Sequence, residues 1–247
     1  IETLWIKNTF TRWFVNKYNV NLAEAELENI EDYINFNDFF TRALKTDLRP
    51  ISESKLISPV DGVVSQAGKI QDSQIIQAKG RQYSTSELLA DKASEELKNG
   101  SFATIYLSPK DYHRIHMPCD GVLISMKYIP GNLFSVNQNT VNQVKSIFAR
   151  NERLICLFDT DFGVMAFVLV GAIFVGSMQT EWQGQITPPY SKTVINYDYK
   201  GREIRLAKGD ELGRFNMGST VIMLLPEDFP EMNLHAGQQL KMGQALI

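Results

Sequence analysis

Four side chains in this sequence carry the carboxylate, imidazole and hydroxyl groups that general acid–base and nucleophilic chemistry needs. They are Asp61, His113, His116 and Ser219. Imidazole titrates near pH ~6.5, so a histidine can both take and give a proton close to neutral pH. An Asp–His–Ser chain would activate the serine hydroxyl as a nucleophile. Each of the four residues has an alternative structural role in its own segment.

Ser219 lies in Gly218-Ser219-Thr220, where a polar, glycine-containing run becomes an apolar run over residues 221–225 that stops at Pro226. This pattern places a small hydroxyl residue where a loop becomes a strand. Because Gly218 has no Cβ, a nucleophile can approach its carbonyl carbon closely. We hypothesise that Ser219 attacks its own peptide bond, and a simple Gly-Ser turn is the alternative.

His113 and His116 are two of only three histidines in the chain. The preceding Ser108-Pro109-Lys110-Asp111 is typical of a helix start, with a serine cap, proline at the first position and an acid at the third. This signature predicts a helical turn through residues 108–116 with both imidazoles on one face. General acid–base chemistry fits the pair better than zinc, since a third ligand is not evident. Structural, hydrogen-bonded imidazoles are the remaining alternative.

The pattern PxDGV occurs twice, as Pro59-Val60-Asp61-Gly62-Val63 and Pro118-Cys119-Asp120-Gly121-Val122. The repetition is consistent with two similar strand–turn–strand units in one β fold. An aspartate before glycine commonly caps its own backbone in a turn. Asp61 therefore gains a functional interpretation only if it orients a histidine.

Composition and hydropathy restrict the class of protein. The 247 residues suggest one compact domain with a small appendage, and the net charge of −3 gives no general reason to expect nucleic acid as a partner. No apolar run approaches the ~20 residues of a transmembrane helix, and no signal peptide is visible. Cys119 and Cys156 lack zinc or CxxC spacing, which indicates buried thiols in a reducing compartment.

The chain is predicted to have an α+β fold with two parts. Asn21 with Glu24, and Asn35 with Asp38, are typical helix caps. Residues 1–48 are predicted to be mostly helical, and Arg49-Pro50 ends this region. Residues 49–247 have β-branched runs separated by glycine and proline, which predicts a β-rich catalytic body with short helices.

Residues 1–18 place aromatic residues among basic ones at helical spacing, including Trp5, Phe10 and Trp13 beside Lys7 and Arg12. Such a helix can lie in a membrane interface. A helix docked on the protein's own core is an equal alternative.

Four stretches of the sequence resemble phosphatidylserine decarboxylases of the bacterial type, over roughly residues 35–247. The stretches are Pro59-Val60-Asp61-Gly62, Tyr106 through Pro118 with both histidines, Phe148 through Arg153 with Phe158-Asp159-Thr160, and Gly213 through Val221. This family commonly has leucine before Gly-Ser-Thr, where this chain has Met217. Methionine is a near-isosteric apolar replacement, so function should survive.

The resemblance implies a proenzyme that cuts itself between Gly218 and Ser219. The Ser219 Oγ would attack the Gly218 carbonyl, and β-elimination with hydrolysis would leave a pyruvoyl group, the covalent cofactor, in place of Ser219. The products are a β chain, 1–218, and an α chain, 219–247. The family's Asp–His–Ser arrangement maps onto Asp61, His116 and Ser219, with His116 as base.

The resemblance also implies the second reaction and its setting. The pyruvoyl group would form a Schiff base with the amine of phosphatidylserine, and the products would be phosphatidylethanolamine and carbon dioxide. His113 corresponds to the family's second catalytic histidine, the proton donor. The enzyme is expected to be peripheral on the cytoplasmic side of a bacterial inner membrane, without metal or nucleic acid, as a homodimer of α/β heterodimers.

Two rival interpretations remain at the level of sequence. A related pyruvoyl decarboxylase could act on a soluble amino acid or on an archaeal-type serine lipid, although the aromatic N-terminal segment and the bacterial-type motifs argue against both. Alternatively, the two PxDGV units with Gly131 and Gly243 resemble β-rich carrier or binding modules of the lipoyl type, and such a module would not cut itself.

Overall fold

A computed structural model of the protein describes residues 3–78, 80–173, 177–199, 201–216 and 220–247. It is a β-rich α+β fold with an N-terminal helix, as predicted. The α-helices are α1 (Leu4–Tyr18), α2 (Phe36–Phe40), α3 (Thr85–Leu89), α4 (Ala93–Glu96), α5 (Gln138–Val141) and α6 (Ile147–Arg150). The strands are β1 (Gly62–Lys69), β2 (Gln74–Ala78), β3 (Arg81–Ser84), β4 (Ser101–Tyr106), β5 (Arg114–His116), β6 (Gly121–Ile129), β7 (Arg153–Thr160), β8 (Gly163–Val170), β9 (Met178–Thr180), β10 (Gly184–Gln185), β11 (Ile195–Tyr197), β12 (Arg205–Leu206), β13 (Glu211–Phe215), β14 (Thr220–Leu225) and β15 (Gln239–Leu240).

The larger sheet is antiparallel and holds the strand that follows the predicted cleavage site. Within the described residues its order is β11-β6-β7-β8-β14-β4-β1-β15, with β12 paired to β6. β14 lies between β4 and β8, and all six of its residues are buried. The apolar run over residues 221–225 thus forms a buried strand, as its sequence predicts. The C-terminal segment is therefore an integral part of the sheet.

A smaller sheet, in the order β10-β9-β13-β5, carries the histidine segment. β5 and β13 are antiparallel, with His116 opposite Glu211 and Arg114 opposite Arg214. Since β13 runs toward the predicted cleavage site, this sheet connects the histidines to it through backbone hydrogen bonds.

The predicted helical turn through residues 108–116 is wrong. Residues 108–111 form a turn in which the Asp111 carboxylate accepts hydrogen bonds from the amide and the hydroxyl of Ser108, both at 2.7 Å. The chain then becomes β5, because its backbone groups pair with β13. The serine–aspartate pair is a real capping contact, but it closes a turn that is not continued into a helix.

The N-terminal segment is less helical than predicted between its two α-helices. Asn21 caps only a three-residue 3₁₀ turn, Leu22–Glu24, whereas Asn35 accepts a hydrogen bond from the Asp38 amide and opens α2. A separate aromatic core joins α1 to α2, formed by Phe14, Val20, Tyr33, Phe39 and Phe40. None of the helices in the described ranges is long and apolar enough to cross a membrane.

Both PxDGV units lie where a strand begins, since Gly62 starts β1 and Gly121 starts β6. Their aspartates act alike. Asp61 accepts a hydrogen bond from the Met242 amide, and Asp120 accepts one from the Lys208 amide. Each carboxylate therefore holds a distant loop against the start of its strand.

Candidate active site

The segment with the predicted cleavage site is bracketed by two well-defined strands. Met217, Gly218 and Ser219 lie outside the described residues. Before them, the Phe215 amide donates to the His113 carbonyl at 3.1 Å. After them, Thr220 lies opposite Tyr106 and Val170 in the larger sheet. The chain thus enters the cleavage segment beside His113 and leaves it beside Tyr106.

His113 is fully buried next to that entry point. Its Nδ1 is 2.8 Å from the Asp111 carbonyl oxygen, and its ring packs on Phe40 with centroids 4.1 Å apart. Since a carbonyl can only accept, Nδ1 carries the proton and Nε2 is the basic atom. Nε2 has no hydrogen-bond partner among the described residues. Burial lowers the pKa of His113 to about 3, so this histidine is neutral at physiological pH.

His116 is buried at the other end of β5, and hydrogen bonds engage both of its ring nitrogens. Nδ1 lies 2.8 Å from the Gly209 carbonyl oxygen, and Nε2 lies 3.0 Å from the Tyr112 hydroxyl. Burial lowers the pKa of His116, although the Gly209 contact opposes that shift. The two histidines therefore occupy different environments and do not share a helix face.

Asp61 is a buried, ionised carboxylate. It accepts hydrogen bonds from Arg49 at 2.9 and 2.6 Å, from Lys241 Nζ at 3.0 Å and from the Met242 amide at 2.8 Å. Burial opposes the charged form, but these bonds, led by Arg49, outweigh it and lower the pKa of Asp61. The carboxylate therefore contacts basic groups and one amide, and its effect on His116 is exerted through its charge, which favours the protonated imidazole.

Arg49 is a site residue that the sequence analysis missed. It joins Asp61 to Glu24, which its Nη2 contacts at 2.5 Å. In the sequence, Arg49-Pro50 marks only the end of the helical region. The signal that could have identified it is a lone arginine shortly before a PxDGV aspartate, and only the fold brings the two together.

The α2 region also contributes contacts that the sequence did not reveal. Arg42 Nη2 donates to the Lys110 carbonyl, and Arg114 Nε donates to the Thr41 carbonyl, both at 2.9 Å. Asn37 Nδ2 donates to Asn216 Oδ1 at 3.1 Å, next to the cleavage segment. The N-terminal segment is therefore bound directly to the histidine turn and to the strand that leads into the predicted cleavage site.

A mostly apolar cavity of about 470 Å³ opens between the N-terminal helices and the β body. Its walls include Phe14 and Phe40 on one side and Tyr106, Leu107 and Pro109 on the other. Tyr106 is the partner of Thr220 in the sheet. The cavity therefore adjoins the strand that follows the predicted cleavage site.

Helix α1 docks on the protein's own core and leaves large apolar side chains exposed. Phe14 docks on the aromatic core, and the buried Lys7 donates to the carbonyls of Ile30 and Tyr33 at 3.0 and 2.6 Å. Trp5 is 70% exposed, and Trp13, which also lines the cavity, is 52% exposed. The helix is thus anchored to the protein while presenting large apolar side chains to the outside.

Comparison with known proteins identifies relatives over nearly the whole chain. The family model described as phosphatidylserine decarboxylase matches residues 36–247. Phosphatidylserine decarboxylase proenzyme from Saccharophagus degradans is 52% identical over 98% of this chain and 87% of the relative. The proenzyme of that name from Methylobacillus flagellatus is 53% identical over 90% of this chain and 80% of the relative. The proenzyme from Hahella chejuensis is 54% identical over 92% of this chain and 77% of the relative.

Proposed function

The chain belongs to the phosphatidylserine decarboxylase family of carboxy-lyases, and we propose that it makes its own cofactor, a pyruvoyl group derived from Ser219. With that group it converts phosphatidylserine to phosphatidylethanolamine and carbon dioxide. The proposal assigns Asp61, His113, His116 and Ser219 to the site and takes the bond between Gly218 and Ser219 as the cleavage site.

One observation carries the proposal: the strand before the cleavage segment is hydrogen-bonded to a buried neutral histidine, and the strand after it pairs with a residue that lines an apolar cavity. His113 contacts the strand before the segment through its carbonyl, and its Nε2 lone pair has no partner in the described chain. Tyr106 lines the cavity and pairs with Thr220 after the segment. A proton carrier and a space for acyl chains thus adjoin one backbone segment.

In maturation, the Ser219 Oγ attacks the Gly218 carbonyl and His116 takes the hydroxyl proton. The amide nitrogen of Ser219 leaves and is protonated, which gives an ester; elimination across Ser219 and hydrolysis then release ammonia. A positioned base of this kind contributes about 10²–10⁴-fold to the rate. The buried charge of Asp61 stabilises the imidazolium that forms at His116.

The two product chains would remain associated without a peptide bond. β14, in the shorter chain, pairs with β4 and β8, and β15 pairs with β1. Asp61, in the longer chain, also accepts hydrogen bonds from Lys241 and from the Met242 amide, both in the shorter chain. Cleavage therefore changes the chemistry at residue 219 without removing the strand that positions it.

The described residues beside the cleavage segment fit a pyruvoyl group. Nε2 of His113 and Oγ1 of Thr220 are buried polar atoms without a hydrogen-bond partner among them, so a proton carrier and a hydroxyl donor are available. The pyruvoyl ketone would supply a Schiff base with the substrate amine, which withdraws electrons as carbon dioxide leaves. We assign to Nε2 of His113 the transfer of a proton to the substrate Cα after decarboxylation. The overall reaction takes up this proton from solvent.

The cavity and α1 favour a lipid substrate over a soluble amino acid. Its apolar walls suit acyl chains, and Phe10 and Trp13 line it from α1. Trp5 and Trp13 on the exposed face would lie in the membrane interface. From these side chains and from the family resemblance, we propose that the enzyme is a peripheral protein on the cytoplasmic side of a bacterial inner membrane.

We further propose a homodimer of α/β heterodimers. β11 is an edge strand of the larger sheet as far as the described residues show, and Val194 and Ile195 expose apolar side chains there. A second copy would cover such an edge. Light scattering of the mature enzyme tests this assembly. The mass of a single α/β heterodimer at every protein concentration would contradict it.

A substrate comparison tests the proposed function. The mature enzyme is given vesicles that contain phosphatidylserine or, separately, free serine, and released carbon dioxide is measured. We expect release from the vesicles only. Release from free serine alone would overturn the lipid assignment, and a chain that neither cuts itself nor decarboxylates either compound would support a binding module instead.

A further inference from the structure

The hydrogen bonds of His116 determine which of its ring nitrogens can act as a base. Nδ1 faces the Gly209 carbonyl oxygen at 2.8 Å. A carbonyl oxygen cannot donate, so Nδ1 carries the proton and Nε2 carries the lone pair. The Tyr112 hydroxyl, 3.0 Å from Nε2, must then be the donor of that second bond.

Tyr112 is well placed to keep this arrangement. It is buried, and its ring stacks on the imidazole at an interplanar angle of 26° with centroids 5.7 Å apart. Burial raises the pKa of the Tyr112 phenol, so the hydroxyl retains its proton at physiological pH. Asp61, the residue expected to orient His116, is engaged by Arg49, Lys241 and the Met242 amide.

We propose that Tyr112 is a positioning residue for the maturation base: with the Gly209 carbonyl, its hydroxyl holds His116 as the Nδ1–H tautomer, with Nε2 as the proton-accepting atom. This inference rests on the proposed role of His116 in self-cleavage. The serine proton would enter at the single lone pair of Nε2, so the Tyr112 hydroxyl must release this lone pair as the serine hydroxyl approaches. Nδ1, on the other side of the imidazole, stays hydrogen-bonded to the neutral Gly209 carbonyl.

The tautomer can be measured directly because the chain has only three histidines. The uncut Ser219→Ala chain is labelled with ¹⁵N-histidine, and the His116 resonances are assigned as those that disappear in a His116→Gln version. We expect His116 to be the Nδ1–H tautomer, and adding Tyr112→Phe to shift the Nε2 resonance, because that nitrogen loses its hydrogen-bond donor while the Gly209 carbonyl remains. An Nε2–H tautomer with Tyr112 present, or an Nε2 resonance that Tyr112→Phe leaves unchanged, would overturn the proposal.

Cleavage kinetics provide a second readout, with Ser219 intact. Tyr112→Phe keeps the stacked ring and removes only the hydroxyl, so we expect cleavage to slow by about ten- to a hundred-fold. The lost bond stabilised neutral His116, so the acid limb of the pH–rate profile should move to higher pH. Glu211 and Arg114, the other charged groups near His116, and Asp61 remain unchanged.

Tyr83→Phe is the matched control, because Tyr83 is another buried tyrosine and lies on β3, outside the site. It should cleave at the wild-type rate. Should Tyr112→Phe not fold, 3-fluorotyrosine at position 112 offers a stronger donor of nearly the same shape, and the acid limb should then move to lower pH. A wild-type rate and profile for either Tyr112 variant would overturn the proposal.

These outcomes are distinguishable from failure of the proposed function. Cleavage of His116→Ala at the wild-type rate would remove the base role of His116, whatever its tautomer. Blocked cleavage of His116→Ala together with unchanged kinetics of Tyr112→Phe would keep that role and reject the positioning by Tyr112.

Discussion

Replacing Arg49 by methionine should strongly destabilise the uncut chain, because it leaves the Asp61 carboxylate buried with too few partners. The side chains of Arg49 and Asp61 are only 8% and 4% exposed. Breaking a buried ion pair by removing one partner costs about 3–5 kcal/mol. Lys241 and the Met242 amide still bind Asp61, so we expect the lower end, about 3 kcal/mol.

Denaturant unfolding of the Ser219→Ala chain measures this effect without interference from cleavage. Lys45→Met is the matched control, because Lys45 and Glu28 form an ion pair 43% and 56% exposed. Exposed pairs contribute at most about 1 kcal/mol. Arg49→Met with Asp61→Asn removes both charges and should recover part of the lost stability. An Arg49→Met effect no larger than that of Lys45→Met would refute the reasoning.

The pH dependence of this stability has a defined sign. Asp61 has a lowered pKa in the folded protein, so its contribution is complete above the usual carboxyl pKa of about 3.9. This contribution to stability is lost as the pH falls through the lowered pKa that Asp61 has in the folded protein. The difference in unfolding free energy between the Arg49→Met and parent chains should therefore shrink in acid. A difference that grows as the pH falls would contradict the assigned charge of Asp61.

Three further predictions concern the site and its surroundings. His113→Ala should cleave but decarboxylate at least about 10²-fold more slowly, as followed by gel and carbon dioxide release; a chain that stays uncut would reverse the division of labour between the histidines. Replacing the exposed Trp5 and Trp13 by serine should weaken vesicle binding in a flotation assay and leave cleavage unchanged, and unaltered flotation would reject α1 as the membrane contact. Ala172→Trp places a large side chain at the cavity wall, so turnover of long-chain substrate should fall more than that of a short-chain analogue; equal losses would argue against acyl binding there.

Local signals predicted much of the fold. The apolar run over residues 221–225 became β14, and Asn35 accepts the hydrogen bond from the Asp38 amide that opens α2. The Ser108–Asp111 pair has similar chemistry but closes a turn, because β13 offers the following residues a strand partner. A cap specifies where a helix can start, and distant backbone partners decide whether it continues.

The site was less predictable than the fold. The candidate histidines could be chosen by residue type and by resemblance, but the partners of their nitrogens could not. Gly209 is far from His116 in the chain and contributes only a backbone carbonyl, for which no residue type is diagnostic. Likewise, Arg49 reaches Asp61 only because the N-terminal segment packs on the β body. Such long-range contacts depend on the tertiary fold.

Intact-mass measurement of the purified protein tests the central claim most directly. Wild type should yield two chains, 1–218 and 219–247, and the shorter should be lighter by one ammonia than a chain that begins with Ser219. Ser219→Ala should yield a single uncut chain. Under conditions that support decarboxylation, a single wild-type chain that retains Ser219 would contradict the account.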